Sequence, residues 1–468
     1  MTRSEFIRAV VANPDGEIFD LEGYAAVGAD GPIRSPLSTS DTISLPFGSE
    51  LMMLPHRRPI VFNLKHHHIE CIDENPHIPG EPIFPVAAFN SPGYVTTHIS
   101  AYEGIGNASP LPLFSYGAVG WARGGFRSAA VRVEWERRQD LRLMPHDGVL
   151  SGIQEMRLHL PGNRLREHLE NCALVYGCPA GKNFFLQRYE APLPTSARCN
   201  ARCLGCLSLQ SDSDIPCSQQ RIEFTPTAEE IAQVALVHLR AVDRGVVSFG
   251  QGCAGDPLLA AYVIEPAIKM IRQETRRGTI NLNTNASRPE IVSRLLNAGL
   301  DSLRVSLNSI RADHYNAYFR PSGYGFGDVL ESIDRAVGHG AFVSINYLNI
   351  PGFTDQPEEI DALIEFLSRH RVHMIQWRNL NYDPQQYWIT MENVSSGGDP
   401  IGVRNALNRI RDAFPNLKFG YFNPPKKNLK KCIDVPTEHM SAGMIFSLVF
   451  RHSKMIQGFK GSRGRVKY

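Results

Sequence analysis

Apolar and polar positions follow two different rhythms along this chain. Up to about residue 150 the apolar runs are short and broken by Pro and Gly. "RPIVFNL" (58–64) and "AAVRVEW" (129–135) read as strands, and "NSPG" (90–93) and "RGG" (123–125) read as turns between such runs. The pattern predicts a mostly β accessory domain over residues 1–150. Residues 151–183 read as a connector, with a short helix in "NRLREHLENCALVYG" (163–177). From about residue 184, short apolar runs alternate with longer segments of helical periodicity. "FFLQRYEAPL", "GVVSFG", "TINLNTN", "DSLRVSLN", "FVSINYLNI" and "HMIQWRNL" are the expected strands. The helices between them carry end signals: Thr225 or Thr227 as an N-cap before Glu229 and Glu230, and Gly299 as a C-cap. About six such units in a row require a parallel sheet with helical crossovers, and its ligands belong at the carboxyl ends of the strands.

Composition narrows the function classes. The chain has 468 residues, is 43% apolar and 21% charged, and has a formal net charge of +2. That balance fits an ordinary globular core and gives no reason to expect a nucleic-acid or membrane partner. The first twenty residues hold no long apolar run, and "AGMIFSLVF" (442–450) is too short for a spanning helix, so a cytoplasmic protein without a secretory signal is expected. Nine cysteines, unevenly spread, point to reduced thiols rather than a disulfide framework. The isolated Cys71 and Cys432 are expected to be buried.

The strand-end loops hold the candidate chemistry. "TSARCNARCLGCLS" (195–208) follows the first strand and places Cys199, Cys203 and Cys206 within eight residues. Three thiolates leave one iron of a [4Fe–4S] cube open, whereas structural zinc takes four closed ligands and an electron-carrying cluster takes four cysteines. The second loop, "SFGQGCAGDPLL" (248–259), presents Gly250, Gly252 and Gly255 before a helix, where backbone amides and the helix dipole favour an anionic group. Gln251 and Asp256 suit an ammonium. The third and fourth strands end in "LNTNAS" and "VSLNS", so Asn283, Asn285, Ser306 and Asn308 are polar where buried strands are usually apolar. They suit a ribose. Asn346 lies in the fifth strand, before an apolar "NIPGF" stretch suited to an adenine.

In these motifs residues 184–380 resemble the radical S-adenosylmethionine (radical SAM) superfamily. The C-x3-C-x2-C loop matches that family's cluster motif. "GQGCAGDP" is similar to its Gly-Gly-Glu-Pro loop, "VSLNS" to its ribose-contacting strand, and "NYLNIPGFTD" to the strand and loop beneath its adenine. Two departures stand out: Gln251 replaces the second Gly, and the acidic residue is displaced to Asp256, with Cys253 inserted in the loop. The resemblance implies an α/β (β/α)6 partial barrel, an N-terminal β-rich accessory domain, and a C-terminal extension (381–468) with a basic tail. It implies a cluster on Cys199, Cys203 and Cys206, and S-adenosylmethionine beside Gly250, Gly252, Asp256, Asn285, Ser306, Asn308 and Asn346. It also implies reductive cleavage to a 5′-deoxyadenosyl radical that abstracts a substrate hydrogen, with an electron donor such as a flavodoxin or ferredoxin. A peptide or protein is the first substrate class expected, a small molecule the second. The mouth of the barrel must be capped to exclude water, by the accessory domain, the connector or the tail.

Other residues carry competing readings. Cys253 is a candidate catalytic thiol at the active site. Cys172, Cys178, Cys217, Cys253 and Cys432 are candidates for an auxiliary cluster. His66, His68 and Glu70 in "KHHHIEC" can share one strand face and hold a metal, or form a solvated edge. Arg320 in "YFRPSGYGF" suits a carboxylate or phosphate, or a turn. The competing class is a non-enzymatic zinc module for RNA or protein, with Cys217 or a histidine completing the three loop cysteines.

Overall fold

The computed structural model describes residues 5–106, 108–210, 214–395 and 397–426. Fourteen strands, β1 to β14, occupy the chain between Arg8 and Arg132. Twelve of them join one antiparallel sheet, and the other two (Tyr94–Thr96 and Ala130–Arg132) pair with each other. Small and β-branched residues on strands such as β1 (Arg8–Ala12) bury almost every position, as a sheet folded over its own core requires. Three helices follow: α1 (His146–His159), α2 (Arg164–Leu174) and α3 (Pro179–Phe185). Asn163 caps α2 by accepting from the Arg166 amide.

The second half is a parallel sheet in strict chain order: β15 (Glu190–Leu193), β16 (Val246–Phe249), β17 (Thr279–Thr284), β18 (Ser302–Leu307), β19 (Phe342–Asn349), β20 (Met374–Asn379) and β21 (Lys418–Gly420). The end strands β15 and β21 do not pair with each other, so this is an α/β partial barrel. It has seven strands; the sequence pattern marked six because β21 is only three residues long. Helices α4 (Ala228–Ala241), α5 (Ala261–Glu274), α6 (Pro289–Ala298), α7 (Ala312–Phe319), α8 (Phe326–Gly338) and α9 (Pro357–His370) are the crossovers, and α10 (Pro384–Glu392) and α11 (Val403–Ala413) lie between β20 and β21. Thr227 and Glu230 form a reciprocal capping box that starts α4.

Each barrel strand separates two chemistries. Leu282, Val305, Leu307, Ile345 and Ile375 face the helices and are fully buried in the main core. The alternate positions are polar and bond to one another across the interior. Ser302 donates to Asn281 at 2.7 Å, Asn281 to Asn283 at 2.7 Å, and Arg304 to Gln376 at 3.1 Å. Gln376 donates to Asn423, Asn423 to Glu190 at 2.8 Å, and Arg138 pairs with Glu190 at 3.3 Å.

The N-terminal domain sits on the carboxyl ends of β19 and β20 through its two-stranded pair. Asn349 and Asn379, their last residues, donate to the carbonyls of Thr96 and Tyr94, each at 2.9 Å. Gly352 packs so closely on this domain that a Cβ there would fall 1.9 Å from the Gly31 nitrogen. No helix among the described residues is long and apolar enough to cross a membrane.

Some expectations are corrected. "FFLQRYEAPL" is not one strand: Phe184 and Phe185 end α3, and Gln187 and Tyr189 turn through positive φ before β15 begins. Cys71 is exposed, because it ends the edge strand β7 (His68–Cys71), which pairs only with β6 (Arg57–Asn63). Cys432, "AGMIFSLVF" and the basic tail lie outside the described residues.

Candidate functional site

The cysteine loop leaves the end of β15 and is held by the C-terminus of α7. The Arg202 and Leu204 amides donate to the Phe319 and Tyr318 carbonyls at 2.9 and 3.1 Å. Those carbonyls are among the acceptors a helix end leaves unpaired, so the loop and helix satisfy each other. Arg320 caps α7 in the left-handed region (φ 47°) and turns the chain so that Ser322 can donate to the Asn200 carbonyl at 2.9 Å. The "YFRPS" segment is therefore a brace for the cysteine loop. Nothing in its spacing announced that role. Gln210 closes the loop by donating to the carbonyls of Leu204 and Cys206, both at 2.9 Å.

The donor set suits a multi-iron cluster. Burial, with the Asp256 charge next, pushes the Cys199 thiol up to about 11, and burial with the neighbouring Cys199 and Cys206 pushes Cys203 well above its usual value. Deprotonating them together calls for a bound cation. Among the described residues only one group of three potential ligands has all its donor atoms within 4.8 Å, and it is not this trio. Sulfurs spread wider than donors around one ion suit separate corners of a cube better than a single zinc. Cys217 is exposed and joins no such group. Arg221 adds a positive charge, donating to the Cys206 sulfur at 3.4 Å. At Gly205 a Cβ would meet Tyr318 Oη at 3.0 Å and the Asn381 carbonyl at 3.1 Å, so glycine lets the loop pass this brace.

The Gly-rich loop after β16 lies directly against the cysteine loop. The Gly255 amide donates to the Ser196 carbonyl at 2.6 Å, and a Cβ on Gly255 would fall 2.0 Å from the Arg198 carbonyl. Gly250 takes φ +72°, with the Asn283 carbonyl 1.8 Å from where its Cβ would stand. Gly252 is exposed at the tip. Asp256 is buried, and its carboxylate is occupied by the chain itself. It accepts from the Leu258 amide at 3.0 Å, the Thr284 hydroxyl at 2.9 Å and the Asn285 amide at 2.7 Å. It ties the second loop to the end of β17.

The other expected contacts divide. Asn285 donates to Asn200, so it links the third loop to the cysteine loop. Ser306 is half-buried and sits in register with Asn346. The Asn346 side chain accepts from Arg378 at 3.1 Å. Asn308 is fully buried and donates its amide NH2 to the His314 carbonyl and the Tyr387 hydroxyl, while its side-chain oxygen has no partner among the described residues. Phe353 of the "NIPGF" stretch packs edge-on against His314 and Tyr387, and its loop receives the N-terminal domain. Cys253 is the candidate thiol of the second loop. It is buried, and its sulfur is turned to His168 and Cys172 of α2. His66 and His68 lie at the tip of an exposed hairpin, where His68 pairs with Glu70 at 3.2 Å. That solvated edge gathers no three-ligand group.

Residues 193–367 match the family model described as the Radical SAM superfamily. Over that segment the chain carries a radical SAM domain. It is 26% identical over 222 residues to a GTP 3′,8-cyclase of Corynebacterium glutamicum (strain R), covering 46% of this chain and 54% of that one. It is 26% identical over 180 residues to the FeMo cofactor biosynthesis protein NifB of Klebsiella pneumoniae, covering 35% and 37%. Among solved structures it is similar to a radical SAM methyltransferase from Sphaerobacter thermophilus, at 18% identity, TM-score 0.35, and 49% and 65% coverage. The chain thus spans about half the length of the cyclase, or less in the case of NifB. Radical SAM proteins are enzymes that use a [4Fe–4S] cluster and S-adenosylmethionine. In this one the first two strand-end loops are locked together by backbone contacts.

Proposed function

We propose that this radical SAM enzyme abstracts hydrogen from a small anionic molecule seated in the polar barrel. The observation that carries the reading is the half-buried Arg304, whose Nε is itself buried. Its Nε has no hydrogen-bond partner among the described residues, and burial with the neighbouring Arg378 lowers its pKa to about 9. The guanidiniums of Arg138, Arg304 and Arg378 lie among the polar interior positions, where Glu190 pairs with Arg138. A phosphate or carboxylate would offset those positive charges, and arginine suits such groups by its planar fork of donors. The similarity to cofactor-building proteins, GTP 3′,8-cyclase and NifB, points to the same substrate class.

Cys199, Cys203 and Cys206 would hold the cluster. When bound, it supplies with a flavodoxin- or ferredoxin-type donor the electron that splits S-adenosylmethionine into methionine and a 5′-deoxyadenosyl radical. The backbone of Gly250 and Gly252 offers the groups that receive the amino-acid end, and Asp256 fixes that loop rather than meeting the ligand alone. Ser306, whose hydroxyl is not engaged by a described residue, suits the ribose. The N-terminal domain, bonded to Asn349 and Asn379 through Thr96 and Tyr94, excludes water from that side of the mouth.

A peptide substrate retains one observation in its favour. A cleft of about 290 Å3 lies between Arg34 of the N-terminal domain and Trp388 of α10. Anaerobic turnover with deuterated cell extract, split into small-molecule and peptide fractions, decides between them. Deuterium reaching 5′-deoxyadenosine from the small-molecule fraction, and lost in Arg304→Met, supports the proposal. Transfer from the peptide fraction alone overturns the substrate class. A reconstituted protein that makes no 5′-deoxyadenosine overturns the roles given to the loops.

A further inference from the structure

A second group of donors lies outside the barrel, between the connector and the Gly-rich loop. His168 and Cys172 are four residues apart on α2 and so share one face. Cys253 reaches them from the loop after β16. One atom from each of the three lies within 4.8 Å of the others. The His168 Nε2 to Cys172 sulfur distance is 3.5 Å. Metal–sulfur and metal–nitrogen bonds of about 2.3 and 2.0 Å at a tetrahedral angle place two donors about 3.5 Å apart. Cys172 and Cys253 are buried, and a single apolar pocket would have no use for a histidine between two thiols.

Cys178 stands beside the group. Its amide donates to the Cys172 carbonyl at 2.9 Å, which ties the end of α2 to the start of α3. Hydrogen bonds from Cys253 and then His168 hold Cys172 below the usual thiol range, while the same Cys172 contact raises Cys253. Such a shared proton is what a metal ion displaces when it binds neighbouring thiols.

We infer that His168, Cys172 and Cys253 bind one thiolate-preferring divalent ion, zinc above all. A cube would need its sulfurs at separate corners, whereas these donors converge on one point. The ion staples α2 to the Gly250–Gly255 turn, and through the Gly255–Ser196 hydrogen bond to the cysteine loop. The inference rests on none of the roles proposed above.

Metal analysis of the full-length protein tests it. Protein made with zinc in the medium and purified without oxygen should carry one zinc per chain, in addition to iron. Replacing Cys199, Cys203 and Cys206 together by Ser should remove the iron and leave the zinc. His168→Ala, Cys172→Ser and Cys253→Ser should each lower zinc affinity roughly tenfold or more. Cys217→Ser should leave it unchanged. Because a ligand variant can fail to fold, cobalt is titrated into the zinc-free wild type as well. The sulfur-to-cobalt charge-transfer and tetrahedral d–d bands should saturate at one equivalent. Three results overturn the inference: wild type that takes up neither zinc nor cobalt, a Cys172–Cys253 disulfide in the purified protein, or iron beyond one cube that disappears with Cys172→Ser.

Discussion

The two sulfur-rich regions are built by opposite strategies. Cys199, Cys203 and Cys206 come from one short loop and spread apart, held by the backbone of α7. His168, Cys172 and Cys253 come from a helix and a distant loop and converge on a point. Around the first trio the chain supplies glycine, backbone donors and one open side. Around the second it supplies a closed set of side chains. On the roles proposed above, one site takes up an outside molecule and the other holds two elements together. The Gly255–Ser196 hydrogen bond and the tight turn at Gly250 are among the links between them.

The largest break in this comparison comes from that shared turn. Gly250→Ala forces a side chain to φ +72° and within 1.8 Å of the Asn283 carbonyl. The strained backbone costs roughly 1–3 kcal/mol, and the overpacking adds about as much. Iron and zinc retention should fall together, with a large loss of stability in denaturant titration. Loss of one metal with full retention of the other would show that the turn does not couple the regions.

Gln210→Ala separates the regions instead. It removes two hydrogen bonds from the Gln210 amide to the Leu204 and Cys206 carbonyls. Each is worth about 1 kcal/mol. Iron release to a chelator should accelerate several-fold, while the zinc at His168, Cys172 and Cys253 remains. Equal loss of both metals would mean that the two sites share more structure than one turn.

The same contrast explains what the sequence could disclose. A trio on one loop is visible as C-x3-C-x2-C, because local spacing is geometry. The alternation of barrel strands with amphipathic helices was likewise legible, since each strand is marked by its own apolar outer face. The second donor group was half legible. His168 and Cys172 are an i, i+4 pair, but Cys253 reaches them only through the fold. For the same reason the sequence leaves the role of Cys253 open: membership of the second loop fixes its place, while the direction of its side chain depends on α2. Asn308 shows the same limit. A polar residue at a strand end reads as a ligand contact until its helix-side partners are seen. The brace formed by Arg320 and its neighbours left no local signal, because backbone carbonyls do the holding. The twelve-stranded sheet was hidden by strands as short as two residues.

The smallest expected effect is a difference in pH response in metal-free protein. Cys172 is held down to about 5, chiefly by its hydrogen bond with Cys253, against an ordinary value of 9.0. Its contribution to stability is therefore full above about 9 and is lost as pH falls through about 5. Between those values the unfolded chain binds the extra proton, so folding gains as pH rises. Cys199 runs the other way. Burial raises it from 9.0 to about 11, so its contribution is full below 9.0 and is lost as pH climbs through about 11. Denaturation of the metal-free wild type across this range, compared with Cys172→Ser and Cys199→Ser, separates the limbs. Cys172→Ser should flatten the rise on the acid side, and Cys199→Ser should flatten the fall on the alkaline side. Saturating zinc should steepen the acid-side dependence and leave the alkaline limb unchanged, because the bound Cys172 thiolate stays unprotonated while the unfolded chain's thiols take up protons.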